Sequence, residues 1–83
     1  GGSSFKGGFK DGLYHGFGEF HWHNGNFYRG EYSEGKRHGF GVLRIGGIEY
    51  SGTWNKGVRE GHGILTHESE LTFGNYHNNI LIE

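Results

Sequence analysis

Residues 28–45, YRGEYSEGKRHGFGVLRI, read as a β-hairpin. Tyr28, Gly30 and Tyr32 alternate large, bare and large at the period of a strand. A glycine-punctuated stretch follows, and then Gly39-Phe-Gly41 and a short apolar run. Its neighbours repeat the phrase: Phe5, Gly7 and Phe9 lead to Gly16-Phe-Gly18 upstream, and Tyr50, Gly52 and Trp54 lead to Gly61-His-Gly63 downstream. Gly7, Gly30 and Gly52 recur after 23 and then 22 residues, the mark of a repeat architecture in which each unit is one hairpin.

Composition supports this. Only 31% of the 83 residues are hydrophobic, too few for a large two-layer core, yet 17% are aromatic, too many for a disordered tail. Nineteen glycines and no proline suit a chain that turns often and brings backbones close together. With no cysteine, a disulfide framework and a thiolate metal site are both excluded, and a reducing intracellular compartment is expected, cytoplasmic or organelle-stromal, including a membrane surface. A net charge near −1 gives no field for nucleic acid, and no apolar run approaches the roughly 18 residues of a membrane span. Residues 1–4 read as a linker or tag remnant, and the lack of methionine as a piece of a longer polypeptide.

Within the first unit, strands are expected over 5–10 and 17–22, joined by Asp11 to Gly16. Placing Phe9 opposite Gly18 sets Gly7 against Phe20 and Phe5 against Trp22. The same offset pairs Tyr32 with Gly41, Tyr28 with Ile45, Trp54 with Gly63 and Tyr50 with His67. This register gathers the aromatics on one face, with rings lying over bare glycine backbone. The other face takes mostly polar residues and a narrow apolar strip of Phe17, Phe40, Val42 and Ile64. A fourth unit opens at Thr72, with Asn79 where Gly12, Gly35 and Gly57 stood, and the sequence ends in Ile80-Leu-Ile82-Glu83, an incomplete hairpin or an apolar cap.

The phrase Y-x-G-x-[YW]-x-x-G-x-x-x-G-x-G, met at Tyr28–Gly41 and Tyr50–Gly63 and with Phe for Tyr at Phe5–Gly18, resembles the MORN (membrane occupation and recognition nexus) repeat. The copies are 5–27, 28–49 and 50–71, with a partial repeat or cap over 72–83. The resemblance implies an all-β fold, a single elongated, twisted antiparallel sheet of consecutive hairpins. It implies a non-enzymatic module that scaffolds, dimerises, binds partner segments in an aromatic-lined concave groove, or binds phospholipid.

Three surfaces are candidates. The aromatic row of Phe5, Phe9, Trp22, Tyr28, Tyr32, Tyr50, Trp54 and Tyr76 is either core or the seat of a peptide or helix from a partner protein, since a one-layer sheet has no second layer to cover it. The turn edge carries Lys10, Lys36, Arg37, Lys56 and Arg59, a candidate site for anionic phospholipid or ordinary solubility charge. The opposite edge has Glu49, Glu68 and Glu70. The terminal strand around Ile80 and Ile82 is a candidate edge for homodimer pairing. His21-Trp-His23 supplies two histidines on one strand face, short of the three or four ligands of a zinc site, so no metal is expected. The GFG and GHG tripeptides lack the spacing of a phosphate-binding loop, and no nucleophile, base and orienting acid fall together; neither a cofactor nor a catalytic residue is expected.

Overall fold

Two-residue turns set the architecture. At Asp11–Gly12, Glu34–Gly35, Lys56–Gly57 and Asn78–Asn79 the first residue has φ of 49–52° and the second 72–93°, the paired positive angles of a type I′ turn. That turn matches the right-handed twist of the strands it joins. The computed structural model describes residues 2–82 as one antiparallel sheet, its strands in sequence order: β1 Ser4–Lys10, β2 Leu13–His21, β3 Phe27–Ser33, β4 Lys36–Ile45, β5 Ile48–Asn55, β6 Val58–His67, β7 Glu70–His77 and β8 Ile80–Leu81. Extents of 37 × 27 × 15 Å describe a slab one sheet thick. Gly1 and Glu83, the outer ends of the expected linker and cap, lie outside the described residues.

The expected single sheet of hairpins is present, but its register is not the expected one. Within each hairpin the glycine between the two aromatics faces glycine, not a ring; ring faces glycine only across hairpins, at Gly16–Tyr32, Gly39–Trp54 and Gly61–Tyr76. Gly7, Gly18, Gly30, Gly41, Gly52, Gly63 and Gly74 pair in succession and form a continuous bare row across β1–β7. On the next rung Phe5 faces Phe20, Tyr28 faces Leu43 and Tyr50 faces Leu65. The physical reason is steric. The rings of Phe5 and Tyr50 lean over the glycine rung two residues along, and a Cβ on Gly18 or Gly63 would come within 2.6 Å of the Phe5 or Tyr50 Cζ.

The six-residue connection expected over Asp11–Gly16 is likewise corrected to two residues. Gly16, Gly39 and Gly61, with φ of 80°, 97° and 92°, are strand residues at bulges where each hairpin shifts register. Polar groups freed there are satisfied locally. The Phe40 N–H donates to Glu31 Oε2 at 2.7 Å, and the Thr53 hydroxyl donates to the Glu60 carbonyl.

Successive hairpins are stitched at the turn edge. The N–H of Gly35, Gly57 and Asn79 donates to the carbonyl of Tyr14, Arg37 and Arg59 at 2.9, 2.8 and 3.0 Å. Glu60 adds a tie to the last turn, accepting from the Asn78 N–H at 3.2 Å and lying 3.0 Å from His77 Nδ1. The His77 hydrogen bond, and then the Asn78 amide, hold the Glu60 carboxyl below its ordinary value. A carboxyl lowered on folding stabilises its contact above its unfolded pKa, and the contribution is lost as pH falls through the folded one. The tie should therefore release on acidification below the ordinary carboxylate range. The Asn78 amide NMR shift should titrate there and lie flat in Glu60→Gln; a flat wild-type profile would contradict the tie.

Candidate functional site

The aromatic face is built from the glycine row upward. Phe5, Tyr28 and Tyr50 cover it from one side, and Tyr32, Trp54 and Tyr76 approach from the other. The rings meet edge to face: Tyr28–Tyr32 at 5.1 Å, Tyr28–Trp54 at 5.7 Å, Tyr50–Trp54 at 5.3 Å and Tyr50–Tyr76 at 5.0 Å between centroids. This is the favoured arrangement of ring quadrupoles, and each ring closes the gap beside its neighbour. Tyr28 is 0% exposed, Tyr50 2% and Trp54 4% with no second layer over them. Buried polar atoms have partners. The Tyr28 and Tyr50 hydroxyls donate to the Glu31 and Thr53 carbonyls at 2.9 and 3.2 Å, and Trp54 Nε1–H donates to the Gly41 carbonyl at 3.3 Å. Burial pushes the Tyr28, Tyr32 and Tyr50 phenols upward, so all three stay neutral at physiological pH.

Of the eight aromatics named from sequence, Tyr28, Tyr32, Tyr50, Trp54 and Tyr76 thus form a buried floor, with Phe5 and Trp22 packed half-buried against it and Phe9 exposed at the end. The five turn-edge cations divide. Lys10, Lys36 and Lys56 stay among the turns, where Asp11 and Glu34 lie beside them. Arg37 and Arg59 belong to strands and stand over the aromatic floor. The Arg37 guanidinium lies 5.3 and 5.2 Å from the Tyr28 and Trp54 centroids, and that of Arg59 lies 5.5 and 5.1 Å from those of Tyr50 and Tyr76. The first hairpin puts Tyr14 at the equivalent position, stacked on Phe5 at 3.7 Å and 8°.

Between the arginines and a facing wall of Leu43, Ile45, Ile48 and Leu65 runs a hollow of about 400 Å³. A second, of about 380 Å³, continues past Arg37 to Tyr14, Phe20 and Trp22. Neither is lined by a carboxylate. The leucines and isoleucines of this wall were not among the site residues expected from sequence, although alternation at period two places Leu43, Ile45 and Leu65 on the aromatic face in the expected register as well. The reverse face bears a more open hollow of about 590 Å³ between Phe40, Ile64 and Phe73. There Phe17, Phe40 and Phe73 are 59%, 52% and 67% exposed, so the apolar strip expected on that side is present and extends to β7. Among the described residues no three His, Asp or Glu side chains gather where a metal ion could sit.

Family models match the sequence three times in succession, as MORN repeats over residues 5–27, 28–46 and 50–70. The chain belongs to the MORN repeat family. No individually characterised protein matches it closely enough to compare. MORN repeats are non-enzymatic modules of protein or membrane interaction. In this MORN array the repeat unit is one hairpin, the aromatic and glycine positions of the motif form the buried floor, and the residues on its two sides differ from copy to copy. Position 14, 37 or 59 is Tyr, Arg and Arg, so the face is chemically graded along its length.

Proposed function

We propose that this array is a protein-interaction module that receives a segment of a partner protein along the aromatic face. The observation that carries the reading is the groove itself. Arg37 and Arg59 have no carboxylate partner among the described residues, and they face an apolar wall across a floor of buried rings. Because the rings are already buried, they act as a rigid floor, while contact area comes from Arg37, Arg59, Leu43, Ile45, Ile48, Leu65 and, at the first repeat, Phe20 and Trp22. A prearranged floor lowers the ordering cost of association.

The anionic-phospholipid alternative has less behind it. The lysines that remain at the turn edge are interleaved with Asp11 and Glu34, within a Debye length of one another, so the edge has little net field. Homodimer pairing would use the outer edge of β7, since β8 pairs only with Tyr76 and His77.

The test is selection of binders from a random displayed peptide library, followed by titration against variants of the two faces. Leu43→Ser with Leu65→Ser should weaken selected peptides at least tenfold, about 1.4 kcal/mol. Phe40→Ser with Phe73→Ser should leave affinity unchanged. The reverse pattern would move the binding surface to the other side of the sheet.

A further inference from the structure

We infer that the groove selects an acidic amphipathic helix, with two carboxylates about two helical turns apart set against Arg37 and Arg59; this rests on the proposed reading of the groove. Charge is the first ground. The whole sequence has a net charge near −1, yet the groove lining holds Arg37 and Arg59 and no acid. Arg37 makes no side-chain hydrogen bond among the described residues, and Arg59 spends only part of its donor set, on Asn79. A guanidinium lying over rings uses its π-face there and keeps in-plane N–H groups free to grip a carboxylate in bidentate fashion.

Geometry then chooses the backbone. A segment along the groove crosses β3–β6, whose strands already pair with one another on both sides, so it cannot join the ladder. An extended peptide would lay unpaired N–H and C=O groups over an apolar floor, whereas a helix satisfies them internally. Arg37 and Arg59 are equivalent residues two strands apart, a separation of about 10 Å. Residues i and i+7 of a helix are about 10.5 Å apart on one face. Three residues of extended chain cover a similar distance but turn the second carboxylate to the far side. An apolar stripe beside the carboxylates would lie against Leu43, Ile45, Ile48 and Leu65.

The probes are four 18-residue synthetic helical peptides sharing one leucine stripe. One has Glu at i and i+7, one has Gln there and one has Lys. The fourth moves the second Glu to i+5. Fluorescence anisotropy on the full chain should show the i, i+7 Glu peptide binding at least tenfold tighter than the Gln and i+5 peptides, with no detectable binding of the Lys peptide. Arg37→Gln with Arg59→Gln should erase the Glu-over-Gln preference. Should that variant unfold by near-UV circular dichroism, the peptide comparison on unaltered protein decides. Equal affinity of the Glu and Gln peptides would overturn the acidic inference and leave the groove reading in place. Equal affinity at i+5 and i+7 would overturn the spacing. Failure of all four, with library peptides still sensitive to the Leu43 and Leu65 changes, would overturn the helix alone. Insensitivity of every binder to those leucines would remove the groove reading beneath it.

Discussion

Gly41→Ala is expected to destabilise the array by about 3 kcal/mol or more, a large share of the 5–15 kcal/mol that holds a domain together. The added methyl would land on Tyr28 itself, with the ring Cζ at 2.5 Å. Neither side can yield. The Tyr28 ring is enclosed by Tyr32 and Trp54, and Gly41 is paired on both sides, with Gly30 and Gly52. Gly47→Ala is the control. Nothing lies within 4 Å of a Cβ there and its backbone is not in the left-handed region, so its effect should stay within about 0.5 kcal/mol. Urea unfolding of the two variants measures the difference; equal midpoints would mean the glycine row is not packed beneath rings.

Trp54→Ala is the second large effect, expected to cost about 3–5 kcal/mol, the range for removing a buried aromatic. Trp54 touches both Tyr28 and Tyr50, supports Arg37, and donates to the Gly41 carbonyl, so it joins the second and third repeats across β4 and β5. Trp54→Phe keeps part of the ring contact and loses the hydrogen bond, and should cost markedly less. Phe40→Ala on the reverse face removes a ring already 52% exposed and should change stability little. The urea midpoints should rank wild type and Phe40→Ala together, Trp54→Phe lower and Trp54→Ala lowest. A Phe40 effect as large as that of Trp54 would place the core on the wrong side of the sheet.

Much of this was legible in the sequence because glycine and ring alternate at period two, and period two assigns faces whatever the register. Tyr28, Tyr32, Tyr50 and Trp54 on one face and Phe17 and Phe40 on the other follow from that alternation. Register was the part not captured, and its error has one source. Gly12 and Gly16 look alike in a sequence, and both adopt positive φ, but Gly12 closes a two-residue turn while Gly16 sits in a bulge of β2. Counting from Gly12 pairs Lys10 with Leu13 and Phe9 with Tyr14, and the bulge at Gly16 then adds the two-residue shift that brings Gly7 opposite Gly18.

That same error hid the site. With Lys36 and Arg37 assigned to a loop, both were turn-edge charges. With the turn confined to Glu34–Gly35, Arg37 pairs with Tyr32 and follows it onto the aromatic face. Arg59 does likewise opposite Trp54. Two surfaces that looked separate in the sequence, an aromatic row and a basic edge, therefore share one groove, and only the lysines remain behind. The burial of Tyr28 and Tyr50 was not readable from composition at all, because it arises from rings of adjacent hairpins closing over one another.

The most direct measurement is a proton NOE experiment on the wild-type chain. Ring protons of Tyr28 should show strong NOEs to the α-protons of Gly41, and those of Tyr50 to the α-protons of Gly63, with these glycine protons shifted upfield by the rings above them. Tyrosine NOEs directed instead to Ile45 and His67, with the glycine α-protons at unperturbed shifts, would contradict the glycine row and the groove built on it.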